Sequence, residues 1–238
     1  MIGVNIGKLF NPSVQAGIGG GNKNYALQFD GSQNYAKINT LSSNLGTSAI
    51  SFGGWFNIQA NQPQSFPHFI ALGNFDNGCI YFNTSAVKVS IKFTNIGGST
   101  YDFGVDFTPY IGVRTHIVGV YNGAKISIYI NGSEATFQNA TGSITWSSDQ
   151  CLVLGASDDN GGFSGAFAKE IVDEPFVYNT ALTSTQINNI ISTKTYPAGC
   201  LVRWMLNEGT GTSASDATGN GNTGTLVGSP LPAWVAGL

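Results

Sequence analysis

One hairpin does most to limit what this chain can fold into. The runs His116-Ile-Val-Gly-Val-Tyr121 and Ala124-Lys-Ile-Ser-Ile-Tyr-Ile130 flank Asn122-Gly123, a dipeptide favoured in type I′ turns because both residues tolerate φ > 0. Ile126, Ile128 and Ile130 share one face by the period of two in a strand, so that face is expected to meet a core. A second pair, Asn131-Gly132, ends the run.

The same alternation recurs along the chain. Tyr25-Ala-Leu27-Gln-Phe29 turns at Asp30-Gly31 into Tyr35-Ala-Lys-Ile38, and Ile50-Ser-Phe52-Gly-Gly-Trp55-Phe56-Asn-Ile58 follows with its own glycine pair. Phe69–Leu72, Cys79–Phe82, Val87–Phe93 and Cys151–Leu154 continue the series, with Val87, Val89, Ile91 and Phe93 on one face. Short strands at short intervals predict an all-β antiparallel sandwich, and the absence of a repeat at fixed spacing argues against propellers and solenoids. One helix is expected near 183–194: Thr183-Ser-Thr-Gln186 has capping-box form, and Leu182, Ile187, Ile190 and Ile191 make an apolar stripe. It should pack on the sandwich edge by its isoleucines.

Composition supports a turn-rich, uncharged surface. Glycine is the commonest residue at 32, charged residues make up 10%, and the formal charge is −3. Nucleic acid is not an expected partner, because binding it requires clustered cations. Cys79, Cys151 and Cys200 form no Cys-x-x-Cys pair, which disfavours a zinc site or a disulfide framework, and an odd count fits folding in a reducing cytoplasm. Neither a basic start followed by an apolar run nor an apolar stretch of about 20 residues occurs, so neither a secretory leader nor membrane insertion is expected. The first 24 residues, with Asn11-Pro12 and Gly17-Ile-Gly-Gly-Gly21, read as an arm or attachment segment. Residues 25–238 read as a single domain.

Several segments resemble laminin-G-like and pentraxin-like jelly rolls of the concanavalin-A-like superfamily. They are Phe29-Asp-Gly31, Ser51-Phe-Gly-Gly-Trp55-Phe56, His116–Gly123 with Ile128–Gly132, Gly165, Val172-Asp-Glu174 and Tyr178–Thr183, in that order. Leu201-Val-Arg-Trp204-Met-Leu206-Asn-Glu208-Gly-Thr-Gly-Thr212, followed by Asp216-Ala-Thr-Gly219-Asn220-Gly-Asn222, resembles the family's opening strand and loop, yet here it closes the chain. The resemblance implies a permuted jelly roll. The 201–238 tail either completes its own sandwich, the favoured reading, or donates a strand to a neighbouring copy.

The superfamily also includes glycan-cleaving enzymes, which set two carboxylates across the scissile bond. Glu170-Ile-Val-Asp173-Glu174 has the wrong spacing for this. In a regular strand Glu170 and Asp173 point to opposite faces, while Glu170 and Glu174 share one. Only a local bulge would change that, and no catalytic residues are expected. His116 matches the family's strand-start histidine and is expected to be a structural hydrogen-bonding residue.

Calcium is the expected cofactor. It takes six to eight oxygen ligands, and the Asp216–Asn222 loop offers Asp216 and Asn220, with Glu208 and Asp173 as completing carboxylates. The alternative is an Asx-turn loop that caps its own backbone without metal. Asp158-Asp159-Asn160 reads as a solvated turn. For a glycan ligand, aromatic rings that stack on sugar faces are required. Tyr81, Tyr101, Tyr110 and Trp146 are the candidates, against the plainer reading of each as core filling, and the phenylalanines read as core.

Three functions follow in order of preference. The first is a non-catalytic adhesion or decoration protein on a virus particle, from a bacteriophage, made in the host cytoplasm. It would bind a cell-surface glycan and use 1–24 to contact a virion partner or a homo-oligomer. The second is a secreted bacterial carbohydrate-binding domain, and the third a glycan hydrolase or lyase.

Overall fold

The computed structural model describes residues 24–73, 77–147, 150–157 and 165–238. The arm expected at 1–24, apart from Asn24, and the Asp158-Asp159-Asn160 turn lie outside the described residues. In chain order the strands are β1 (Tyr25–Asp30), β2 (Tyr35–Ile38), β3 (Ile50–Ile58), β4 (His68–Leu72), β5 (Gly78–Asn83), β6 (Lys88–Ile96), β7 (Ser99–Asp106) and β8 (Thr115–Tyr121). They continue as β9 (Lys125–Ile130), β10 (Ser133–Asn139), β11 (Leu152–Leu154), β12 (Lys169–Tyr178), helix α1 (Ser184–Thr193), β13 (Cys200–Arg203), β14 (Ser213–Ala214), β15 (Gly224–Val227) and β16 (Ala233–Ala236).

Two antiparallel sheets stack as the expected all-β jelly-roll sandwich. The first runs β10-β9-β8-β3-β12-β1-β16, with β13 also on β12; the second runs β14-β15-β2-β11-β4-β5-β6-β7. Alternation sorts the side chains: Phe29, Phe52, Phe56, Ile117, Ile126, Ile128 and Val172 of the first sheet meet Ile70, Ile80, Val89, Ile91 and Phe93 of the second in one buried core. Val87 lies outside β6 with φ +51° and packs only partly.

The hairpin that constrained the sequence reading forms, with its first turn displaced by one residue. Asn122 N donates to Lys125 O at 3.2 Å, and of the two central residues Gly123 and Ala124 only Gly123 has positive φ, +88°. That is the II′ pattern, centred one step later than Asn122-Gly123. Asn122 instead uses its side chain, accepting from Ala124 N and Lys125 N. The I′ pattern occurs at the next turn, where Asn131 and Gly132 have φ of +48° and +84°.

Helix α1 carries the expected reciprocal capping box between Thr183 and Gln186. It packs on the outer face of the first sheet rather than on an edge: Ile187, Ile190 and Leu182 cover Val118, Val120, Phe176 and Tyr178.

The tail is distributed over both sheets of its own chain. β13 pairs β12, β16 pairs β1, and β15 pairs β2 with β14 beyond it. Trp204 joins these pieces. Its ring is fully buried, its Nε1 donates to Asn222 O at 2.8 Å, and a Cβ on Gly224 would stand 2.4 Å from the ring. Trp204→Ala is therefore expected to cost about 3–5 kcal/mol, read as a lower urea midpoint; a midpoint equal to that of the parent would show that the tail does not close this core.

Candidate functional site

On the second sheet the residues that alternate with the core face outward, and register brings four of them, His68, Tyr81, Lys92 and Asp102, together. Lys92 of β6 lies opposite Cys79 of β5 on one side and Asp102 of β7 on the other, while Tyr81 of β5 lies opposite His68 of β4. With Phe66 from the preceding loop, His68, Tyr81, Lys92 and Asp102 line a cavity of about 320 Å³.

The rings in this cavity are fixed against one another. His68 stacks on Tyr81 with centroids 5.5 Å apart, and Phe66 meets Tyr81 edge-on at 6.1 Å. Tyr81 reaches across β6 to donate its hydroxyl to Asp102 Oδ1 at 2.6 Å. The strand it crosses carries Ser90 there, opposite Gly104, and a Cβ on Gly104 would lie 2.3 Å from Ser90 Oγ. Burial, then the Asp102 carboxylate, pushes the Tyr81 hydroxyl well above the ordinary phenol range, so it acts as a donor. Phe66 stays 50% exposed at the cavity mouth, which leaves an apolar face for a ligand.

Of the four aromatic candidates, the cavity lining includes Tyr81. Tyr101 packs from the inner face of β7 onto the core, Tyr110 meets Phe107 at a tilt with centroids 5.2 Å apart, and Trp146 packs on Phe93 while Nε1 donates to Gly46 O. These three rings pack against the core from partly exposed positions outside this cavity. Phe66 was assigned to the core from sequence and instead is a large exposed apolar ring; its place before Pro67 in the polar Gln62–Pro67 stretch was the available signal.

The expected calcium ligands do not converge. Asp216 Oδ1 accepts from Thr218 N and Oγ1, and Oδ2 from Asn222 N at 2.9 Å. Burial raises the Asp216 pKa, but these hydrogen bonds outweigh it and hold it below the usual range. Asn220 turns its amide nitrogen to Cys200 O and Leu201 O, both at 3.0 Å. Glu208 Oε1 accepts from Ser215 N, and Asp173 sits on β12, where Oδ2 accepts from Leu238 N and Asn24 Nδ2. Among the described residues no three His, Cys, Asp or Glu side chains group as a metal site. The loop takes the Asx-turn form, a cap that holds the Trp204 strand, with Asp216 and Asn220 engaged by backbone groups, while Asp173 Oδ1 and Glu208 Oε2 are buried without a partner among the described residues.

The carboxylates of β12 separate in a way regular alternation does not give. Asp173 pairs Trp55 and Phe176 pairs Gly53, so Glu174 and Pro175 oppose Gly54 alone in a bulge, with Glu174 at φ +47°. Gly54 is required there, since its Cβ would lie 2.9 Å from Pro175 Cα. The bulge turns Glu174 onto the outer face beside Asp173, which corrects the expectation that it shares a face with Glu170. Glu174 Oε2 accepts from Lys194 Nζ at 2.8 Å and Tyr196 Oη at 2.9 Å. Glu170 faces the interior, fully buried, with both oxygens unpaired among the described residues, so the three do not flank a common cleft.

His116 also differs from expectation. Its ring packs between Trp55 at 4.9 Å and Phe176 at 6.0 Å, with both nitrogens unpaired among the described residues. Burial, then the charges of Arg114 and Lys194, holds its pKa down to about 3. It is a neutral packing ring, with Arg114 stacked over the adjoining Trp55 at 3.4 Å.

A laminin-G family model, described as the concanavalin A-like lectin/glucanases superfamily, matches residues 30–188, and the chain belongs to this family. Among curated proteins none matches the sequence. The fold is similar to that of a candidate carbohydrate-binding protein from Bacteroides ovatus, with a TM-score of 0.63 at 15% identity over 90% of this chain and 60% of that one. It is also similar to a heptameric SAP-like pentraxin from Limulus polyphemus, with a TM-score of 0.57 at 16% identity over 87% of this chain and 96% of that one. A third similar structure is the ligand-binding domain of botulinum neurotoxin serotype D in complex with N-acetylneuraminic acid, with a TM-score of 0.51 at 12% identity over 69% of this chain and 43% of that one. At these identities the likeness is one of fold.

Glu170 gives a direct test of the interior. Burial raises its pKa well above the carboxylate value of 4.5, so its contribution to stability is full below that value and is lost as pH rises through the folded pKa. Glu170→Leu is expected to stabilise by about 1–3 kcal/mol at pH 8, with a smaller gain at pH 4.5. Urea denaturation at both pH values checks this; a destabilised variant would mean that the carboxyl has a partner or a role.

Proposed function

We propose that this protein is a non-catalytic glycan-binding module that holds sugar in the Phe66, His68, Tyr81, Lys92 and Asp102 cavity. The observation that carries the reading is the half-exposed Phe66 ring beside the Tyr81–Asp102 hydrogen bond. A sugar ring presents an apolar face of C–H groups and a polar rim of hydroxyls. The aromatic ring takes the first and the carboxylate the second.

Membership of a lectin and glucanase family supports this reading, as do the carbohydrate-binding description of the Bacteroides ovatus protein and the sugar complex of the neurotoxin domain. The chain spans about 60% of the Bacteroides ovatus protein, so activities of that whole protein are not carried over. Against the glycanase reading stands the dispersal of Glu170, Asp173 and Glu174 between the core and the outer face.

Phe66→Ala is expected to weaken glycan binding by about tenfold with little change in thermal midpoint, measured by calorimetry with a glycan selected from an array. Unchanged affinity in that variant would sink the reading.

For setting, display on a bacteriophage particle is retained as the proposal. None of the three cysteines is in a disulfide, which fits folding in a reducing cytoplasm before release. Mass spectrometry of purified particles is expected to recover the chain. Recovery solely from the medium or envelope of a bacterium would favour the secreted lectin instead.

A further inference from the structure

The glycan reading leaves one group in the cavity without work. Lys92 is half-buried, lines the cavity, and makes no ion pair among the described residues. The other cations that line a described cluster are engaged: Lys125 with Glu134, Lys194 and Arg203 with Glu174, and Arg114 over Trp55. Asp102 is the nearest acid in register, yet it accepts the Tyr81 hydroxyl at Oδ1 instead of pairing with the ammonium. An ammonium that makes no ion pair keeps its donors and its charge for an incoming anion.

The arrangement has direction. Asp102 is exposed, and with Oδ1 taken by Tyr81 its Oδ2 is the acceptor for a hydroxyl. Lys92, one strand inward, is a donor and a positive charge. Phe66 and the Tyr81–His68 stack form the apolar wall. A neutral sugar would use the wall and Asp102 and leave the ammonium without an ion pair. A sugar carrying a carboxylate would use all three, provided its acid group lies on the β5 side, away from Asp102.

We infer that the cavity selects acidic sugars, with Lys92 as the specificity-determining residue that receives the sugar carboxylate. The inference rests on the glycan-binding reading of the same cavity. It commits to a carboxylate-bearing saccharide, a uronic or sialic type of residue, presented at a chain end or branch where a single ring can enter.

The test uses matched ligands on the full chain: an oligosaccharide containing a sugar acid, and the same oligosaccharide after its carboxyl groups have been reduced to alcohols. The parent protein is expected to bind the acidic form about tenfold more tightly, a difference that shrinks as salt is added. In Lys92→Gln the two affinities are expected to converge, because the acidic form loses more affinity than the reduced form, while the thermal midpoint is unchanged. Lys92→Arg is expected to retain most of the preference. Equal binding of both ligands by the parent, or a preference that survives Lys92→Gln, overturns the assignment of Lys92 and leaves the glycan site standing. Binding of neither ligand, with Phe66→Ala likewise silent, overturns the glycan reading and the inference together.

Discussion

β12 has more partners than a strand has edges. Along one side it pairs β3 from Glu170 to Tyr178; along the other, β1 takes Lys169 to Val172 and β13 takes Phe176 to Tyr178. The first strand of the described domain and a strand of the tail therefore share one edge, and the Glu174–Pro175 bulge falls between them. Neither β1 nor β13 alone covers this edge. The unpaired amides and carbonyls left by losing either one would sit at the centre of a sheet, where burial makes them costly. This explains why the tail returns, and why Gly54 stands opposite the bulge, where a side chain would meet the backbone of Pro175.

The shared edge also determines what each outer face can be used for. On the first sheet the bulge sends Phe176 and Tyr178 outward, and α1 with Leu182 closes over them. Beside that patch Arg114, Lys194, Arg203 and Glu174 engage Trp55, Tyr196 and one another. That face is committed to its own chain. On the second sheet the cross-strand row Val153, Ala71, Cys79, Lys92, Asp102 changes from small apolar to charged residues as it nears the β7 edge. The cavity sits at that change, where the aromatic wall of Phe66, His68 and Tyr81 meets the first polar groups.

The fold was legible because period-two alternation is a local property. Ile126, Ile128 and Ile130 declare their face within one strand, and Thr183 and Gln186 declare a helix start within one turn. The site was not, because it is made by register between strands. Lys92 and Asp102 are ten positions apart in sequence, and nothing near either names the other as its neighbour. Tyr81 stands out in sequence because it alternates with apolar residues, and the structure places it in the cavity lining. Phe66 has no polar handle, and its exposure and its place before Pro67 in a polar stretch distinguish it from Phe52 or Phe93, which lie within strands. The Asp216 loop misled in the opposite sense. Clustered Asp and Asn oxygens suit a cation or the backbone's own amides equally well, and Thr218 and Asn222 supply those amides within six residues of Asp216.

The distribution of acid groups separates binding from catalysis in physical terms. Glycoside cleavage needs two carboxyl groups about 5–9.5 Å apart across one bond, with pKa values held apart. Here Glu170 is sealed between the sheets, Asp173 and Glu174 lie on the outer face of the first sheet, and Asp102 lies on the outer face of the second. Asp173, with its pKa raised to about 6 chiefly by burial, would suit an acid near neutral pH. Its Oδ2, however, holds Leu238 N and Asn24 Nδ2, so its hydrogen bonds serve to join the two ends of the described domain. In the cavity, Asp102 has Tyr81, Lys92 and two further rings as neighbours and no second carboxylate among the lining residues. In the proposed reading, one carboxylate, one ammonium and an aromatic wall orient a sugar, and the described lining residues hold one carboxyl group where glycoside cleavage uses two.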